Sequence, residues 1–309
     1  MELVNLNQAV FDALKFFDKN LSPKLDLSKF KLPLVIGSGN GHNTGLILFS
    51  NQAAIFADES SLKKIIKTYL PLIRKKIITQ AVIISASGEK DSVWETALAR
   101  KYKLKTTLLT CSPKSSAARL ADQVKTYQKI AEPYTYNVST YLGMILSATR
   151  ENPQTILNFL QKIKLPKNFS KYQSYSFLLP DYFAPVAAMA EVKTREVFGP
   201  HLQVRSYSAG EARHAKFVHR WDRELVISLG EKNNYFGEKA HRLDFKLPPQ
   251  ADFGLMFCLI YSLIGKIQEV KPGYFKKNIK KFCADYGAKA LGAVKPLEVI
   301  VPGTKKEKK

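Results

Sequence analysis

The chain has 309 residues, and 48 Lys and Arg against 26 Asp and Glu give it a net charge of +22. With 45% hydrophobic and 11% aromatic residues it can bury the cores of one large or two modest domains, which excludes an intrinsically disordered chain. The longest apolar run, Phe253 to Ile264, is shorter than the roughly 20 residues that cross a bilayer, so no membrane span is expected.

Residues 6–19 carry Leu6, Val10, Phe11, Leu14 and Phe17 at helical spacing, and Leu21-Ser-Pro ends that helix. Short β-rich runs then alternate with longer helical ones. Strands are predicted at Leu32–Gly37, Ala53–Ala57, Ala81–Ser85 and Thr106–Thr110, with helices over 60–70 and 92–102. That rhythm reads as a doubly wound parallel sheet. Helices follow over 138–150 and 153–164, and 165–170 reads as a linker. The pattern restarts with strands at Tyr175–Leu179, Gln203–Tyr207 and Glu224–Leu229, and helices over 184–198, 252–268 and 274–286. The expected fold is therefore α/β, two three-layer α/β/α sandwiches with mainly parallel sheets, the second shortened. The boundaries read as an N-terminal helix over 1–26, a first domain over 27–165 and a second over 166–309 with a basic tail.

Cys111, Cys258 and Cys283 are isolated, and His42, His201, His214, His219 and His241 never take HExxH or HxxxH spacing, so neither a metal nor a cofactor is expected. Met1-Glu-Leu-Val-Asn lacks the basic and then apolar order of a signal peptide, which points to the cytoplasm. The positive charge is mostly lysine, 38 Lys against 10 Arg, and it is dispersed. Lys276-Lys277 with Lys280-Lys281, and the tail Lys305–Lys309, form clusters. Lysine lacks the bidentate fork that reads base edges, so nucleic acid is disfavoured as a partner. A net positive field serves a phosphorylated metabolite equally well.

Two segments have the composition of phosphate cradles. Gly37-Ser-Gly39-Asn40-Gly41-His-Asn-Thr-Gly45 and Ser85-Ala-Ser87-Gly88-Glu-Lys90-Asp-Ser92 each follow a strand and precede a helix. Small residues there let backbone N–H groups approach an anion. Neither is a GxGxxG dinucleotide fingerprint or a GxxxxGK[ST] loop. A tight turn with no ligand has the same composition.

The strand-Ser85-Ala-Ser87-Gly88-Glu-helix segment resembles the SQSGE-type loop of the sugar isomerase (SIS) family, and Gly37–Gly45 resembles the turn that opens its domain. Further parallels come in order: Ala131-Glu-Pro133 through Ser139-Thr140, Pro185 through Lys193-Thr-Arg-Glu196, and Tyr207-Ser-Ala-Gly210-Glu211-Ala-Arg-His214. Together they are similar to the double-SIS isomerase half of glucosamine-6-phosphate synthase and to phosphoglucose/phosphomannose isomerases.

The resemblance implies an aldose–ketose isomerase acting on a hexose 6-phosphate through a cis-enediol. Gly39, Asn40, Gly41, Ser85, Ser87, Gly88 and Lys90 would hold the phosphate, and Ser139 would touch the sugar. Glu196 would be the base between C1 and C2, Lys193 its partner, and His214 the acid/base that opens the ring. Lys280 is nearest in line to a C-terminal catalytic lysine, with Lys281 and Lys295 as rivals. Ring opening by a histidine from a partner subunit would make the protein a homodimer. Read from spacing alone, Lys193 and Glu196 are an ordinary solvated i,i+3 pair.

The sequence also departs from the family pattern. Lys90 stands for a threonine, Gly39-Asn40-Gly41 for Gly-Thr-Ser, and Leu179-Pro180-Asp181 for Gly-Arg-Gly. Two other readings thus stand beside the isomerase: an aminosugar-phosphate isomerase/deaminase, and a sugar-phosphate sensor without turnover.

Overall fold

The computed structural model describes residues 3–215, 219–287 and 296–304. They fall into two compact units, each built on its own sheet. One comprises Asn20–Lys129, Ser139–Arg150 and Thr304–Lys309; the other comprises Met1–Lys19, Ile130–Val138 and Glu151–Gly303.

The elements run in chain order as α1 (Leu6–Lys19), β1 (Leu34–Gly37), α2 (Asn40–Leu48), β2 (Ile55–Ala57), α3 (Leu62–Arg74), β3 (Gln80–Ile84), α4 (Asp91–Lys101), β4 (Lys105–Thr110), α5 (Ser116–Leu120) and β5 (Gln123–Thr126). The first sheet has strand order β2-β1-β3-β4-β5, parallel throughout. Every residue of β1 is buried, as are four of the five in β3. Such continuous apolar runs mark strands covered on both faces. On one face Leu34, Ile36, Ala81, Ile83 and Leu108 pack with Leu62 and Ile66 of α3 and Ala99 of α4. On the other, α2 comes so close that a Cβ on Gly45 would lie 2.8 Å from a Val35 methyl. The chain leaves β1 toward β2 on one side and crosses to β3 on the other, so the strand order reverses between β1 and β3, where α/β sheets seat ligands.

After β5 come β6 (Glu132–Pro133), α6 (Val138–Thr149), α7 (Pro153–Gln161), β7 (Ser174–Leu179), α8 (Ala184–Phe198), β8 (Gln203–Ser208), α9 (Ala209–His214), β9 (Glu224–Leu229), β10 (Arg242–Phe245), α10 (Phe253–Val270), α11 (Tyr274–Lys281) and β11 (Ile300–Val301). The second sheet is parallel with order β10-β9-β7-β8, and β11 pairs antiparallel with β6. Both sandwiches expected from the sequence are present, the second one strand shorter.

The assignment of helices to sheets differs from the one the sequence pattern predicts, in which α1 stands apart and α7 goes with the first sheet. Both belong to the second unit. Leu6 N–H donates to Gln268 Oε1 at 2.9 Å, and a Cβ on Gly265 would meet Asn7 N at 2.0 Å, so α1 rests directly on the α10 backbone. At the other end of α10, the Glu151 carboxylate accepts from the N–H groups of Asp252, Gly254 and Leu255 at 2.6–3.0 Å. A carboxylate there satisfies orphan donors and the positive end of the helix dipole, and it ties the start of α7 to α10. α10 is also longer than the apolar run read from sequence. By length and composition it could cross a membrane, but 83% of it is buried, as befits a core helix.

Candidate functional site

β3 ends at Ile84 and the chain turns through Ser85–Lys90 into α4. The turn is held by its own hydroxyls: Ser85 Oγ accepts from Gly88 N–H at 3.1 Å and Ser87 Oγ from Glu89 N–H at 3.3 Å. Gly88 has φ +63°, and a Cβ on it would lie 2.0 Å from Ser115 Oγ, so no side chain fits. Lys90 takes φ 56° at the N-cap of α4, an unusual conformation for a side-chain-bearing residue.

Ser85, Ser87 and Lys90 line a cavity of about 260 Å³ together with Ser38, Glu89, Asp91, Glu95 and Tyr141. The glycine-rich turn contributes Ser38 rather than the residues singled out from sequence. Gly41 serves packing, since its Cβ would lie 2.5 Å from Ile84 O, and Gly39 is an exposed turn residue with φ +53°. Asn40 opens α2 with its Oδ1 buried and unpartnered. Ser139 is fully buried in the first turn of α6 and does not line the cavity; Tyr141, two residues on, does.

Glu95 was not singled out from sequence. It is 1% exposed on α4, and Ser38 Oγ donates to its Oε1 at 3.1 Å. Burial pushes its carboxyl up to about 7, opposed by the Ser38 hydrogen bond and reinforced by the charges of Asp91, Glu59 and Asp58. In the sequence, a glutamate in a helix reads as a solvated surface residue.

The second sheet has a corresponding crevice, a cavity of about 650 Å³ at the ends of β7 and β9. Asp181 Oδ1 accepts from Gly210 N–H at 2.6 Å, and this bond with a second from Ser208 holds its carboxyl below the usual range.

Lys193 and Glu196 are not the solvated pair that spacing suggests. The Lys193 side chain has no solvent exposure, and its Nζ donates to Thr135 O and to Glu196 Oε2. It lies 5.9 Å from the ring centre of Tyr261. The accepting carbonyl belongs to a strained loop, with Thr135 at φ 73° and Asn137 at φ 50°. Glu196 is about one-third exposed and lines a cavity of about 410 Å³ with Thr135, His201, Tyr274, Asn278 and Phe282. The His201 ring stacks on Tyr274, centres 4.5 Å apart and planes 9° apart.

His214, at the exposed end of α9, and the exposed Lys280 of α11 do not line that cavity. Lys281 is likewise exposed, and Lys295 lies outside the described residues. His201, to which the sequence pattern gives no role, is the imidazole that shares this cavity with Glu196. Among the described residues no three His, Cys, Asp or Glu side chains gather as metal ligands.

By sequence the chain matches no protein-family model and no curated protein. By structure it is similar to glucosamine-6-phosphate deaminase from Thermotoga maritima, with 14% identity, 88% of this chain and 96% of that chain covered, and a TM-score of 0.59. It is similar also to the C-terminal domain of glucosamine-fructose-6-phosphate aminotransferase from Francisella tularensis, with 12% identity, 85% and 93% coverage and a TM-score of 0.54. A third likeness is to tagatose-6-phosphate ketose/aldose isomerase from Escherichia coli, with 15% identity, 85% and 90% coverage and a TM-score of 0.54. At these identities the likeness is one of fold: the chain is an α/β protein with the architecture of these phosphosugar isomerase and deaminase structures.

Proposed function

We propose that the chain is a double-SIS sugar-phosphate isomerase, which seats the phosphate of a hexose 6-phosphate in the first-sheet cradle and interconverts aldose and ketose through a cis-enediol. The observation that carries the reading is the convergence of Ser38, Ser85 and Ser87 on one cavity where the strand order of the parallel sheet reverses. Hydroxyls and turn N–H groups at that place suit a phosphate, and Lys90 adds charge where the family carries a threonine. In the second sheet the Asp181 carboxylate already takes the Gly210 N–H at the start of α9, which favours the first sheet.

Glu196 then serves as the base that carries a proton between C1 and C2. The buried Lys193 amine against it can steady the oxyanion that develops on the enediol. His214 acts in the site of a second copy in a two-fold dimer. A sensor without turnover is the second reading, favoured by the cavity around Glu196, which neither His214 nor Lys280 lines.

A thermal-shift panel tests the binding half. A ligand that binds only the folded chain stabilises it by about 2.7 kcal/mol at a hundredfold excess over its dissociation constant. Glucose 6-phosphate or fructose 6-phosphate should raise Tm while the free hexoses do not; no rise with any sugar phosphate contradicts the reading.

A further inference from the structure

We propose that Glu95 is an anion-binding residue of the first-sheet cradle that works as a neutral acid, so that an oxyanion enters against Ser38, Ser85 and Ser87 only with a proton on Glu95. The inference rests on the phosphate-site reading and deepens it.

Glu95 is almost completely buried, yet it lines the same cavity as Ser85 and Ser87, and Ser38 of the facing turn donates to it. Among the described residues it has no salt bridge. Its surroundings are mostly acidic: Asp91 on its own helix, Glu89 in the turn before it, and Asp58 and Glu59 after β2. The remaining titratable and charged groups that face it are Lys90 at the start of α4, Tyr141 of α6, and His42 of α2 beyond Asp58. Most of these groups are already engaged: Trp94 Nε1 donates to Asp91 at 3.1 Å, Ser116 N–H to Glu89 at 3.0 Å, and Ser60 and Ser61 to Asp58, while His42 Nδ1 lies 3.3 Å from Ala57 O.

An ionised Glu95 has only acceptor oxygens to offer an oxyanion, inside a cavity where like charges repel strongly. The neutral acid has an O–H to donate, so the same residue changes from repelling the ligand to binding it. Its proton comes from solvent on binding whenever the empty site is ionised. Burial places that ionisation near pH 7, within the working range of most enzymes. The cradle thereby prefers an oxyanion that arrives with a proton to spare or in neutral to mildly acidic solution.

Sulfate is the decisive probe, because it stays a dianion throughout the range, whereas a phosphate monoester titrates near pH 6. Wild-type affinity for sulfate should fall by about tenfold per pH unit above pH 7. Glu95→Gln keeps a donor at the same place, so its affinity should stay level from pH 6.5 to 8.5. Should that variant fail to fold, calorimetry on the wild type decides alone. Glucose 6-phosphate titrated at pH 8 in two buffers of different ionisation enthalpy should show uptake of close to one proton per ligand. Binding with a flat pH profile and no proton uptake overturns the inference and leaves the phosphate site standing. No binding of sulfate or glucose 6-phosphate at any pH overturns the site itself.

Discussion

Glu196 Oε2 sits 2.5 Å from the Nζ of Lys193, an ammonium with no solvent exposure whose second partner is the carbonyl of Thr135. The base proposed for proton transfer is thus held by a charge that water does not screen, in a helix pair whose spacing alone reads as solvated surface.

The two partners should respond differently to substitution. Lys193→Met removes a buried cation and strands the Thr135 carbonyl, which should cost about 1–3 kcal/mol of stability in denaturant unfolding. Glu196→Gln leaves an acceptor for the ammonium at a partly exposed position and should cost less than about 1 kcal/mol. Equal losses would mean that Lys193 is not held as described.

Much of the fold can be read from periodicity. α1, α8 and β9 fall on the residues that their patterns predict, because each buries one regular apolar face or run. β5 and β10 do not. Gln123-Val-Lys-Thr and Arg242-Leu-Asp-Phe are edge strands of four residues with polar side chains between apolar ones, too short for a period to show. Nor does the sequence tell which sheet α7 joins, since the tie is made by Glu151 to backbone about 100 residues away. The site divides in the same way. Ser85, Ser87 and Lys90 are visible in the turn motif, whereas Ser38, Glu95, Tyr141 and His201 become candidates only through long-range packing.

Removal of one cradle hydroxyl should be felt directly. Ser87→Ala should weaken glucose 6-phosphate by roughly 1–2 kcal/mol, about a 5- to 30-fold rise in dissociation constant by calorimetry, with thermal stability of the empty protein little changed. Unchanged affinity would move the phosphate to another place.

Glu95 should also leave its mark on stability without ligand. Its folded value, about 7, lies above the ordinary 4.5, so between those values the native chain binds more protons than the unfolded one. Stability from this group is complete below about pH 4.5 and falls by roughly 3 kcal/mol as pH rises to 7. Asp58 acts in the opposite window: hydrogen bonds from Ser61 and Ser60 hold it near 2, so its contribution is lost as pH drops from about 4 toward 2. Urea unfolding from pH 4.5 to 8 should show the fall in the wild type and not in Glu95→Gln. Parallel curves would place Glu95 in an ordinary ionised state.

A role for His214 in a partner's site requires two copies. Sedimentation at micromolar concentration should give a dimer, and His214→Ala should slow reaction of the closed-ring sugar more than that of an open-chain analogue. An active monomer would mean that His214 acts in its own chain or not at all.

The most direct measurement of the proposed activity is exchange of the C2 proton of glucose 6-phosphate with solvent, followed by NMR in deuterated water. Proton transfer by Glu196 predicts exchange with the wild type, and a loss of at least about 10²-fold in Glu196→Gln while sugar-phosphate binding persists. Tight binding of sugar phosphates by the wild type with no exchange at C2 in any hexose 6-phosphate would contradict the isomerase and leave the sensor.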